Sequence, residues 1–246
     1  VDDFVSGADT KMEAYALFTT ARDILRDGGF NLRKFASNDS ELERLAESGG
    51  NSSWSSHHEG VSSAKTVHMS LEVPQSVSEQ KVLGVVWDKE ADDLVFRFDA
   101  LLAASKSIPM TKRGLLQLIA RVFDPLGLLS PLFVCLKCAF QYVCKSGIGW
   151  DESLPDEQLV TVQDWLKDLS KVGAIRFPRY CFASALSEVR NVKLIGFSDA
   201  SQSAFGSVVY ARAESRFGVH VNLLAAKSRI APLKTSSWML NVSKYV

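Results

Sequence analysis

Apolar residues recur at helical spacing in several separated stretches. Ala14, Leu17, Phe18, Ala21, Ile24 and Leu25 share one helical face. Thr10 and Glu13 precede that face in a capping-box pattern, and Gly28-Gly29 follows it, where glycine suits the left-handed turn past a helix end. A short helix is expected over Asn38–Ala46, with Asn38 and Glu41 at its start. Further helices are expected over Thr111–Phe123, with Leu115, Leu118, Ile119 and Val122 on one face, over Pro131–Lys145 and over Asp156–Val172. Ser130-Pro131 opens the second of these in the usual way, serine as cap and proline in the first turn. Asp124-Pro125-Leu126-Gly127 between the first two reads as a turn.

Strand patterns occupy the remaining apolar runs. Val1–Val5 reads as a hairpin tip, and Phe30–Phe35 alternates apolar with polar. Val82–Asp88 and Leu94–Phe98 suggest a hairpin across an acidic turn. Val192–Ser198, Ala204–Ala211 and Val219–Ala226 predict three consecutive antiparallel strands, with Asp199 at the end of the first. Residues 48–63, rich in Ser, Gly and His, read as a loop. Helices and strands segregated by region imply an α+β fold rather than repeating βαβ units. No internal repeat is visible.

Composition narrows the picture only modestly. The 246 residues are 46% hydrophobic and 23% charged, with 14 Phe and 5 Trp, enough for real cores. A net charge of zero excludes a nucleic-acid argument from bulk charge, so any such case rests on local patches. Four cysteines form no secreted disulfide framework, no apolar run is long enough to span a membrane, and an intracellular location is expected. The first residue is Val rather than Met, which we read as the mark of an excised fragment.

Two carboxylate positions could carry chemistry. Asp2-Asp3, between apolar neighbours at a hairpin tip, suits a two-metal site of hard oxygen ligands, although such a pair taken alone is far more often a solvated turn. Asp199 leaves an apolar strand directly into small residues, a well-held position for a metal-binding acid, or else a turn residue. Cys135 and Cys138 sit at i, i+3 in an apolar helix without a second ligand pair, so buried free thiols are expected there; His57-His58 reads as polar loop. Residues 106–145 carry Lys106, Lys112, Arg113, Arg121, Lys137 and Lys145 against Asp124 alone. Such a basic stretch could track a phosphate backbone or be a solvated face.

In order along the chain, these segments resemble the pol polyprotein of BEL/Pao-type LTR retrotransposons. The matching motifs are Val1-Asp2-Asp3, Gly28-Gly29-Phe30-Asn31-Leu32-Arg33-Lys34-Phe35-Ala36-Ser37-Asn38 and Leu83-Gly84-Val85-Val86-Trp87-Asp88. They continue through Thr111-Lys112-Arg113, Phe123-Asp124-Pro125-Leu126-Gly127-Leu128-Leu129-Ser130-Pro131 and Gly149-Trp150-Asp151-Glu152. The last are Phe197-Ser198-Asp199-Ala200-Ser201 and Ala226-Lys227-Ser228-Arg229-Ile230-Ala231-Pro232-Leu233-Lys234.

The resemblance implies the C-terminal part of a reverse-transcriptase palm over residues 1–100 and a helical thumb or connection region over 101–188. It further implies the N-terminal strands of a truncated RNase H-like sheet over 189–234, and residues 235–246 form an atypical tail. Asp2 and Asp3 match a pair of polymerase carboxylates, and Asp199 matches the first metal-binding acid of the RNase H-like fold. The parent activity it implies is RNA-directed DNA synthesis with hydrolysis of the RNA strand, on an RNA/DNA template–primer and with Mg2+, both being two-metal phosphoryl transfers. The chain departs from the family after Lys234, where the helix bearing the second RNase H carboxylate is expected and unrelated sequence stands. The expectation is therefore a fragment with incomplete sites at Asp2, Asp3 and Asp199 that binds no metal productively and catalyses neither reaction. A non-catalytic nucleic-acid-binding module using Lys112, Arg113, Arg121 and Lys137, or a pseudogene product without function, are the alternatives.

Overall fold

A computed structural model describes residues 4–32, 35–49, 78–182 and 188–232. Helix α1 spans Lys11–Asp27 and carries the expected capping box: Thr10 Oγ1 accepts from Glu13 N at 3.2 Å, and Glu13 Oε2 accepts from Thr10 N at 3.1 Å. Gly28 closes it, and Gly29 adopts a φ of +81°. Helix α2 spans Ser40–Gly49. Its cap is Asp39 rather than Asn38: Asp39 Oδ1 accepts from Glu41 N (2.9 Å) and Leu42 N (3.0 Å). Lys11 bonds both Asp39 (3.1 Å) and Glu41 (2.6 Å), tying the start of α1 to α2.

The strand expected over Phe30–Phe35 is a correction. Phe30, Asn31, Leu32 and Phe35 are not in a strand, and no strand among the described residues offers them a ladder. Phe35 packs on Phe18 instead, with ring centroids 4.4 Å apart. Asp2 and Asp3 lie outside the described residues, as do most of the Ser/Gly/His loop and the tail.

The expected strand Val82–Asp88 is two strands, β1 (Glu79–Val82) and β2 (Val85–Asp88). Leu83 (φ 52°) and Gly84 (φ 79°) form the two-residue turn between them, and positive φ at both positions is the geometry that matches strand twist. A leucine in that conformation is uncommon, so the turn was hidden in the apolar run. Phe123 packs directly over the turn; a Cβ on Gly84 would stand 2.4 Å from its ring. Strand β3 (Asp93–Phe96) completes the expected hairpin, and β4 (Ile175–Pro178), which the pattern did not reveal, adds to its far side. The sheet is antiparallel throughout, in the order β1-β2-β3-β4.

Helices α3 (Asp99–Ser105), α4 (Lys112–Ala120), α5 (Ser130–Lys145) and α6 (Asp156–Leu169) follow the hairpin in the chain. Three of the four were expected. One core joins them to the sheet. Val85, Phe96, Leu115, Leu118, Leu129, Leu136, Val143 and Val162 are buried in it, so residues 79–178 pack as one body. Trp165 of α6 donates from Nε1 to Leu132 O at 2.7 Å and meets Phe133 edge-on.

The last three strands are β5 (Val189–Ala200), β6 (Ala204–Ser215) and β7 (Gly218–Ile230), each longer than its apolar run suggested. They form the expected antiparallel sheet in sequence order, with Asp199 near the end of β5. Strand β7 lies against α5, which joins this sheet to the helical core. No helix among the described residues is long and apolar enough to cross a membrane.

Candidate functional site

The Asp124-Pro125-Leu126-Gly127 turn sets how the C-terminal sheet meets α5. Asp124 spreads both carboxylate oxygens over the approach to α5, accepting from Leu128 N (2.9 Å) and Leu129 N (2.8 Å). These N–H groups have no partner within the helix, and an acceptor there substitutes for a cap. Leu126 O then accepts from Ala226 N of β7 at 2.8 Å. Gly127 holds a φ of +72°, and a Cβ there would stand 1.8 Å from Ala226 O. Glycine is required by both the conformation and the close approach. Gln141 of α5 donates to Ala231 O just beyond β7, a second tie between helix and sheet.

This docking opens a pocket where the ends of β5, β6 and β7 meet the first turn of α5. Ser198, Asp199, Gly206, Ser228, Ser130 and Pro131 are among its lining residues. The strand register aligns Asp199, Gly206 and Ser228 in one row across the sheet. Gly206 contributes no side chain, which leaves room between the other two. Asp199 is exposed, and its Oδ1 accepts from Ala200 N at 2.8 Å, which fixes the carboxylate at the pocket mouth. Ser228 Oγ is buried without a hydrogen-bond partner. A buried orphan hydroxyl lining the same pocket as a carboxylate, across a glycine, is suited to a polar ligand group.

The donor set falls short of a metal pair. Among the described residues Asp199 is the pocket's one carboxylate, and the other oxygen donors are hydroxyls and backbone carbonyls. Among the described residues no group of three or more His, Cys, Asp or Glu converges on a point. Two-metal catalysis holds its ions roughly 3.5–4 Å apart with several carboxylates. The described residues do not fit that arrangement. Glu188 and Glu214, near in sequence, pair with Arg216 and Arg212 instead.

The basic candidates are not gathered into one patch. Lys112 and Arg113 stand at the start of α4, Arg121 at its end and Lys137 in the middle of α5. Arg113 grips Asp151 through two bonds (2.7 and 3.0 Å), which holds the Asp151 carboxyl below its usual range. Lys112 donates to Ile148 O at 3.3 Å and lies 5.0 Å over the Trp150 ring. Arg113 N donates to Trp150 O at 2.9 Å, and Leu154 N to Met110 O at 3.0 Å. The Gly149-Trp150-Asp151-Glu152 motif is thereby a clasp on the start of α4. Arg121 and Lys137 are half-buried and form no ion pair among the described residues, and Arg121 Nε is buried without a partner.

Cys135, Cys138 and Cys144 lie along α5 as free thiols, Cys135 exposed and donating to Leu132 O. Sequence reasoning did not single out Ser228 or Ser130 as pocket residues. Serine carries no distinctive pattern, and these two meet Asp199 only through strand register and helix docking.

Comparison with known proteins agrees with this geometry. No curated protein matches the chain. The family described as the Pao retrotransposon-like RNaseH-like domain matches residues 111–240, from the cap of α4 past the end of β7. The retrotransposon resemblance is thereby borne out over residues 111–240, as an RNase H-like region of the Pao type. With just over half of its length matched, the chain belongs to the Pao retrotransposon-like RNaseH-like domain family.

Proposed function

We propose that this chain is the segment of a BEL/Pao-type polyprotein that joins the end of a reverse-transcriptase palm to an RNase H-like domain. Residues 1–100 are the palm end, 101–188 the thumb or connection region and 189–234 the opening RNase H strands. Asp2 and Asp3 are polymerase carboxylates in this reading, and Asp199 is an RNase H metal ligand. The parent enzyme acts on an RNA/DNA template–primer with Mg2+. The observation that carries the reading is the row Asp199–Gly206–Ser228 at the mouth of a pocket, within the span matched by the family. A carboxylate held at the end of a strand beside an open pocket is well placed to ligate a cation once further acids join it.

By itself the chain catalyses neither reaction. Asp199 alone cannot hold two magnesium ions at catalytic separation, and in this reading Asp2-Asp3 supply only one side of a polymerase metal site. Its residual role is to dock on nucleic acid, with Arg121 and Lys137 in no ion pair among the described residues, whereas Trp150 and Asp151 already engage Lys112 and Arg113. The test runs primer extension on an RNA template beside cleavage of an RNA–DNA hybrid, each with magnesium and with manganese. No product is expected in either. Extension lost in an Asp2→Ala/Asp3→Ala variant, or cleavage lost in Asp199→Ala, overturns the proposal. Hybrid binding without catalysis should weaken steeply as salt rises.

A further inference from the structure

Helix α5 carries Cys135 and Cys138 one turn apart, off the stripe that faces the core. Phe133, Leu136, Ala139 and Val143 are buried, whereas Cys135 is exposed and Cys138 half-buried. Residues three apart on a helix are surface neighbours, their Cβ atoms about 5–6 Å apart. The two thiols feel each other: burial pushes the Cys135 thiol up, and the neighbouring Cys138 adds to the rise. Cys135 Sγ donates weakly to Leu132 O at 3.5 Å, a bond that uses its hydrogen and not its lone pairs.

The separation decides between the two reactions open to a thiol pair. A direct disulfide needs Cβ atoms roughly 3.5–4.5 Å apart. Closing the gap would distort a turn that Leu136 and Ala139 anchor in the core. An ion between the sulfurs spans it without that distortion. The rest of the donor set selects the ion. Residues 125–150 contain no Asp, Glu or His. Cys144 stands about 9 Å further along the helix axis than Cys138, at roughly 1.5 Å per residue. Among the described residues no third His, Cys, Asp or Glu joins the pair. Zinc takes four ligands, or three with a water, and the hard divalent cations take oxygen. Soft thiolates favour monovalent copper, which two sulfurs in line can satisfy.

We infer that Cys135 and Cys138 form a two-thiolate site for monovalent copper, a soft ion of low coordination number. Each thiol loses its proton as its sulfur–copper bond forms; copper stays Cu(I), and no oxidant or reductant takes part. The complex carries a net negative charge, which suits a helix that holds Lys137 and Lys145 and no acid. The site requires none of the assignments made for the parent polyprotein.

Anaerobic titration of the full chain with Cu(I), in competition with a chromophoric Cu(I) chelator, tests this. Wild type should take up one copper per chain. Cys135→Ser and Cys138→Ser should each weaken binding roughly hundredfold or more, the scale of losing one of two linked contacts. Cys144→Ser and Cys181→Ser should leave it unchanged, and an equal concentration of Zn2+ should not displace the copper. No stoichiometric copper, full retention in Cys135→Ser or Cys138→Ser, an equal loss in Cys144→Ser or Cys181→Ser, or displacement by zinc overturns the inference. Native mass spectrometry supplies an independent reading on wild type alone, which stands even where a variant fails to fold. The bound copper should displace both thiol protons, and a mass showing fewer displaced overturns it equally.

Discussion

Gly127 and Asp124 do work that neither residue type advertises. Gly127→Ala combines a left-handed backbone, which costs about 1–2 kcal/mol for a residue with a Cβ, with a methyl forced onto Ala226 O. Denaturant unfolding should show a loss at the upper end of that range or beyond, with the C-terminal sheet the first part to exchange amide hydrogens. Asp124→Ala removes the acceptor for Leu128 N and Leu129 N and should cost about 1–2 kcal/mol, as losing a helix cap does. Asp88 gives a pH-dependent case. The Arg176 guanidinium, 2.9 Å away, holds its carboxyl below the usual carboxylate range, with further help from the backbone N–H groups of Ala91 and Glu90. A folded-state pKa below the unfolded one adds stability that is present above the unfolded value and lost as pH falls through the folded one. The stability gap between wild type and Arg176→Ala should therefore be widest at neutral pH and close as the solution is made acidic. A gap that persists in acid would show that the contact acts through packing rather than charge.

Helix α5 is the element on which the rest depends. One face, through Phe133, Leu136, Ala139 and Val143, closes the core against α4 and α6, while its first turn and Gln141 hold the C-terminal sheet. Leu136 is completely buried. Leu136→Ala should cost about 2–5 kcal/mol, the range for leaving a cavity in a packed core, and should lower the melting temperature of both parts together. Separate transitions would mean that the sheet and the helical core fold independently. The helices were legible from spacing because each shows an apolar stripe and an identifiable start, and Thr10-Glu13 and Ser130-Pro131 are local chemistry. Strand β4 was not legible. Ile175–Pro178 is short and begins beyond the end of α6, and it is a strand only because β3 lies alongside it. Phe30–Leu32 and Phe35 show the converse, an alternating pattern with no ladder to join among the described residues.

At the scale of the whole molecule, ordered motifs from residue 1 to about 234 pointed to the family, which the family match bears out over residues 111–240, because those motifs are local. Each of Phe123-Asp124-Pro125-Leu126-Gly127, Gly149-Trp150-Asp151-Glu152 and Phe197-Ser198-Asp199 is a run of adjacent residues whose spelling survives without a fold. What they do is not local. The first latches α5 to β7, the second clasps α4, and only the third lines the candidate pocket. Residue spelling and periodicity follow from backbone sterics and the 3.6- and 2-residue repeats, so helices, the three-strand meander and the position of Asp199 at a strand end could be read directly. The meeting of Asp199 with Ser228 and Ser130 in one pocket, and the engagement of Lys112 and Arg113 by Trp150 and Asp151, arise from pairings across tens of residues. No local pattern encodes such distances; they exist only once register and helix docking have brought remote side chains together.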